Sequence, residues 1–131
     1  GAFARGLASG RRAALALHAH LAAHPGFTPL LVPELDIVVW AVRAEQASVA
    51  SGLSRQLFEA AARHDLHLAV ATLPRRLAEK ARPVSEWDEE MLVCLRACVM
   101  KPEHEAWLPE IVVRLDRAAA ECGVQTAVER P

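Results

Sequence analysis

An arginine in the middle of an apolar, β-prone run is the residue of this chain best placed to do chemistry. The run is Met91 to Pro102, MLVCLRACVMKP. Read as a strand, with successive side chains on opposite faces, one face carries Met91, Val93, Leu95, Ala97 and Val99, and the other Leu92, Cys94, Arg96, Cys98 and Met100. The first face is core. The second is apolar apart from Arg96, and a guanidinium does not go inside without a carboxylate or phosphate partner. Two readings follow: Arg96 lies at an edge or pairs with an acid of this chain, or it meets an anion on a ligand.

Other chemistry-bearing residues give weaker patterns. His20 and His24 stand four apart on a helical stretch with His18 nearby, the spacing of a metal pair. No third ligand stands at a recognisable spacing, and a histidine at position 24 already suits a helix C-terminus, so no metal site is assigned. His64, Asp65 and His67 imitate part of a catalytic dyad, but they fall at a helix-to-strand junction where polar residues are ordinary. Arg75 and Arg76 could line a groove for an anion, or simply face solvent. The acids Glu86, Asp88, Glu89 and Glu90 read as a solvated loop. Neither a G-x-S-x-G elbow nor a glycine-rich phosphate loop occurs. On a strand Cys94 and Cys98 would lie roughly 13 Å apart, too far for a disulfide, so these and Cys122 are expected as buried free thiols.

The 131 residues suffice for one domain with a substantial core. A hydrophobic content of 53% excludes a disordered chain, and 15 basic residues matched by 16 acidic ones, without a basic stripe, exclude a generic nucleic-acid binder. No apolar run is long enough to cross a bilayer and no signal-peptide pattern opens the chain. It reads as cytoplasmic and soluble.

The elements that must position these residues follow from periodicity. Residues 3 to 24 favour helix, with Leu7, Ala14, Leu17 or His18, and Leu21 in a stripe and His24-Pro25-Gly26 as the stop; Gly10 divides it into two helical pieces or weakens one. Asp36 to Val42 reads as a strand, apolar on both faces and so needing cover on both. Ser48 is expected to cap a helix reaching about His64, with Val49, Leu53, Leu57 and Ala61 facing inward and Phe58 beside them. His67 to Leu73 is a second strand, and the polar stretch from Pro74 to Asp88 suits a loop with room for a helical turn. Met91 to Met100 is the third strand. A closing helix is expected from about Trp107 to Cys122, with Ile111, Leu115, Ala118 and Cys122 inward, Gly123 as its stop, and Pro109 confined to its first turn.

The order predicts an α+β domain. Its core is a small three-stranded sheet, order 1-3-2, mixed or antiparallel, with helices mainly on one face and a long helix leading in. Only that first helix remains for the other face, and one helix cannot cover three strands. A partner surface, a further domain or a second subunit, is expected there.

The succession PELDIVVW, a helix, HLAVATLP, CLRACVMKPEHE and a closing helix resembles the C-terminal part of the fold-type-I pyridoxal-phosphate-dependent decarboxylases, the group of the glutamate, aromatic amino-acid and diaminobutyrate enzymes, over roughly residues 6 to 122. LRACVMKP is its most specific piece. The resemblance implies that residues 1–25 are a helix linking to a large cofactor-binding domain, and that residues 26–131 are the C-terminal small domain packing on it. It also implies that Arg96 faces the active site and, as in glutamate-type members, pairs with a substrate carboxylate, for which a planar bidentate fork is suited. Lys101 stands where many members have Asn, so substrate choice does not carry over.

The family's cofactor lysine follows a histidine in the large domain, where an aspartate also meets the pyridine nitrogen. Lys80 and Lys101 are the only lysines here, and neither follows a histidine. The expectation is a cloned domain, a proteolytic product or one member of a split enzyme. Such a chain would carry no catalytic residue of its own and would hold no cofactor. The complete enzyme would use pyridoxal phosphate and an amino-acid substrate and would be a homodimer. Two alternatives stay open: a free-standing α+β binding or oligomerisation module without catalysis, and the small domain of an aminotransferase or desulfurase.

Overall fold

In the computed structural model, which describes residues 2–33, 36–99 and 102–124, the chain runs α1 (Ala2–Ala23), β1 (Phe27–Pro29), β2 (Ile37–Val42), α2 (Ala47–Arg63), β3 (Ala69–Pro74), α3 (Arg75–Ala78), a 3₁₀ turn over Glu79–Ala81, β4 (Met91–Cys98) and α4 (Pro102–Glu121). The strands form one antiparallel sheet in the order β1-β2-β4-β3. The α+β class and the 1-3-2 order of the three expected strands hold, but the sheet has a fourth strand. β1 pairs Phe27 with Val42 and Pro29 with Trp40. Three residues that follow a glycine and end in a proline are too few to show a period of two, which hid it.

Helices α1, α2 and α4 all pack on one face of the sheet. Leu17 and Leu21 of α1, Leu57 and Ala61 of α2, and Leu115 and Ala118 of α4 enclose Val38, Trp40 and Leu95. Each fully buried leucine in this layer contributes about 1.5–3 kcal/mol relative to exposure. The expectation that α1 alone was left for the opposite face is corrected. It is continuous through a buried Gly10 and lies against α4, where Ser9 and Arg12 both bond the Glu105 carboxylate and His20 meets Asp116 at 2.9 Å.

Two helix assignments shift. The inward face of α2 is Ala47, Ala50, Ser51, Ser54, Leu57, Ala60 and Ala61, while Val49 and Phe58 are exposed; small side chains let the helix lie close to β4 beyond the end of β2. Ser48 does not cap it either. Gln46 holds that position without a side-chain bond, and the cap comes from a distant loop: the Asp88 carboxylate accepts from the Ser48 backbone N–H at 2.9 Å and from its hydroxyl, and Ala47 N–H donates to the Glu86 carbonyl at 3.0 Å. Helix α4 starts at Pro102, earlier than Trp107, because proline is preorganised for a first helical position and Glu103 and Glu105 favour the first turn. Pro109 lies inside it on the exposed side.

The polar stretch after β3 also does more than connect. Folded as α3 and the 3₁₀ turn, it crosses the second face of the sheet, where Ala78 and Val84, with Leu30 and the half-buried Trp87, cover Ala41, Leu92 and Cys94. Half of the face expected to be bare is therefore covered by the chain itself.

Candidate functional site

Arg96 stands on β4 opposite Val39 of β2 and Ala69 of β3, on the half of the second face that α3 does not reach. It is exposed. The strand residues flanking it on that face, Ile37, Val39, Ala69 and Ala71, carry no charge, and Cys98 beside it, opposite Ile37, is exposed as well. Among the described residues no acid pairs with Arg96, so its guanidinium projects from an apolar surface with its hydrogen-bonding fork free for an anion. Met100, expected as the last residue of this strand, and Lys101 after it lie outside the described residues.

The other candidates resolve into structural roles. The His24 Nδ1 accepts a hydrogen bond from the Gly26 backbone N–H at 3.0 Å, which places the ring proton on Nε2, facing Asp116 at 3.7 Å. A nitrogen that carries a proton has no lone pair for a metal. Burial pushes the His24 imidazole below the usual histidine range, and its ring stacks on Phe27 at 4.2 Å. Asp65 takes a left-handed conformation, φ 58°, and ends α2 in a Schellman arrangement: Leu66 N–H donates to the Ala61 carbonyl and Asp65 N–H to that of Ala62. His64 turns away to Glu121 at 2.6 Å, while His67 Nε2 stands 3.5 Å from the Asp65 carboxylate with both side chains largely in solvent, a surface pair at a helix end.

Arg75 is engaged by Glu79 at 2.9 Å and stacks over Trp87, while Arg76 faces solvent. Within the acid run Asp88 is the helix cap, its carboxyl held below the ordinary range by the Ser48 hydroxyl and backbone N–H. Cys94 is buried with its thiol pushed up to about 11, whereas Cys98 is exposed, contrary to the expectation of three buried thiols. Lys80 is exposed on the 3₁₀ turn over the covered half.

A second feature was not visible in the sequence. Between the N-terminal half of α4, the segment 65–68 and the end of β4 lies a groove of about 420 Å³, with Trp40 and Val99 at its floor and Trp107 on its wall. Leu17, Trp40 and the segment 65–68 meet the stretch from Ala97 to Leu115 there, a meeting of residues distant in sequence that no local spacing could reveal. It lies on the helical side of the sheet, away from Arg96.

No protein-family profile matches the chain, and no curated protein matches it in sequence. Among solved structures, the chain is similar to the TDC of Oryza sativa with PLP and tryptamine, at a TM-score of 0.68 and 13% identity over 88% of this chain and 23% of that one. It is also similar to the glutamate decarboxylase domain of the diaminobutyrate-pyruvate transaminase and L-2,4-diaminobutyrate decarboxylase from Vibrio parahaemolyticus, at a TM-score of 0.57 and 16% identity over 91% of this chain and 22% of that one. The chain thus spans less than a quarter of either structure, and what it shares with part of each is the fold.

Proposed function

We propose that this chain is the C-terminal small domain of a pyridoxal-phosphate-dependent amino-acid decarboxylase, in which Arg96 binds the substrate carboxylate. The observation that carries the proposal is the exposed guanidinium, unpaired among the described residues, on the uncovered half of the sheet, in a fold similar to parts of two decarboxylase structures. Residues 1–25 would lead in from the cofactor-binding domain, which would cover Ile37, Val39, Ala69 and Arg96. The complete enzyme would act as a homodimer.

When bound in the complete enzyme, pyridoxal phosphate supplies an electron sink for the carbanion left as carbon dioxide departs. The described residues do not suit that group: Lys80 projects from the covered half beside Glu79, away from Arg96. What this chain contributes is orientation. A fork that accepts two carboxylate oxygens fixes the substrate at one end, and the apolar strand residues around it keep water from competing for the same contact.

The test is an enzyme in which a cofactor domain precedes this chain, compared with its Arg96→Ala variant. Loss of a charged hydrogen-bonded contact costs about 2 kcal/mol or more, so kcat/KM for amino acids is expected to fall about 30-fold. An unchanged kcat/KM would remove the carboxylate role from Arg96.

A further inference from the structure

We propose that the outer edge of β3 pairs with the same edge of a second copy of this chain, the two strands running antiparallel about a two-fold axis at Ala71 to make one sheet across both copies. β3 (Ala69–Pro74) bonds to β4 alone, so the backbone groups of alternate residues point away from the sheet. Its neighbours identify them. The Arg75 N–H donates to the Glu90 carbonyl at 2.8 Å, continuing the register in which Pro74 faces Met91, and the Ala71 carbonyl accepts from the Cys94 thiol at 3.4 Å. Ala69, Ala71 and Leu73 therefore bond to β4, while the N–H and C=O of Val70 and Thr72 are directed outward without a partner among the described residues. The side chains of Val70 and Thr72 are exposed as well.

Nothing guards this edge. No charge lies between His67 and Arg75, and a proline comes only at the last strand position, Pro74, whereas edge strands are ordinarily protected by charge, a bulge or brevity. The opposite edge is protected, because β1 is three residues ending in Pro29. Association therefore stops at two copies.

The open groups and the charges select the occupant. Outward donors and acceptors on an edge call for an extended strand. The axis at Ala71 sets Val70 opposite Thr72 of the second copy and Thr72 opposite its Val70, each pair exchanging both N–H···O bonds. Val70 lies on the helical face, opposite Leu95, so these two β-branched side chains pack across the seam. On the other face Ala71 meets its own copy, with no bulk to clash. Helix α2 lies over β4, and the two β4 strands would stand about 14 Å apart, wider than the separation of about 8–10 Å between packed helices. The axis also brings the Asp65–His67 end of one copy to the Arg75–Arg76 end of the other. Arg114 and His67 share Asp65, and Glu79 and Glu90 hold Arg75. Arg76, exposed and without an acid among the described residues, is the cation left to meet the Asp65 carboxylate, which is 84% exposed. The uncovered halves of the two sheets join into one floor, with the two Arg96 roughly 20 Å apart. The pairing does not rest on the decarboxylase reading.

Sedimentation of the 131-residue chain at neutral pH is expected to show a monomer–dimer equilibrium with a Kd of about 100 μM, as suits a small interface. Amide exchange at Val70 and Thr72 should slow as concentration rises. Val70→Lys is expected to raise Kd at least about tenfold. Thr72→Pro should abolish the dimer while keeping the native circular dichroism, because that N–H faces solvent in the single chain. Ile37→Lys, on the uncovered face, should leave Kd unchanged and so separates edge from face. The proposal is overturned by a monomer at about 1 mM, by species larger than a dimer, or by a dimer that Val70→Lys leaves intact or Ile37→Lys dissolves.

Discussion

Two serines one turn apart on α2 are expected to respond in opposite ways to the same substitution. Ser51 and Ser54 are both buried, at 3% and 0% exposure. Where β2 has already turned away from β4, the Ser51 hydroxyl accepts the Val93 backbone N–H at 3.0 Å and stands in for the missing strand. Ser54 has no partner for its hydroxyl among the described residues. Ser51→Ala leaves a buried strand N–H without an acceptor, a cost of about 1–3 kcal/mol, whereas Ser54→Ala removes a hydroxyl that already lacked one and is neutral or stabilising. Both gain about 0.5 kcal/mol from the better helix propensity of alanine, so the difference between the variants isolates the Val93 bond. Urea denaturation measures it directly, and in heat the gap corresponds to about 3–5 °C in Tm per kcal/mol for a domain of this size. The Val93 amide should also exchange faster in Ser51→Ala alone. If the two variants agree within about 0.3 kcal/mol and Val93 keeps its protection, α2 does not complete the sheet as described.

Acid should weaken the fold through His24. Its imidazole is held neutral by burial, outweighing the opposing attraction of Asp116, and His20 adds to the lowering; the unfolded chain therefore takes the proton first, and stability that is full above the ordinary histidine range is lost as pH falls through it. The urea midpoint should drop between about pH 7.5 and 5.5, and drop less in His24→Asn, whose side-chain oxygen can still accept from Gly26; equal drops would exonerate His24. The three thiols should separate in labelling kinetics. Cys98, exposed, should react in the native state, Cys122 more slowly because burial raises its thiol, and Cys94 only on unfolding. Equal native rates for Cys94 and Cys98 would contradict the environment assigned to β4.

The part of the fold most legible in the sequence was β4 and α4, where one continuous segment carries its own period. Leu95 and Val99 face the helices and Arg96 faces out, as strand alternation requires, and Leu115 and Ala118 are buried at helical spacing. Illegible features all depended on distant partners. The cap of α2 is Asp88, forty residues beyond Ser48, and a hydrophobicity stripe cannot reveal that a helix will turn its alanines and serines inward when a strand ends early. Likewise Arg96 was conspicuous because it broke a local pattern, whereas Trp107 became notable only when segment 65–68 was set opposite it.

The arrangement of α3 and the 3₁₀ turn over only part of the sheet makes its second side a surface of two levels. The upper level ends at the Leu92–Cys94 portion of β4, and the lower level begins at Arg96, two residues further along the strand. Any body that settles on the lower level is stopped laterally by a ledge, itself anchored to the start of α2 through Asp88 and Glu86. That ledge would act as a mechanical datum for such a body, limiting how far along β4 it could travel and so which of its groups could rest above Arg96.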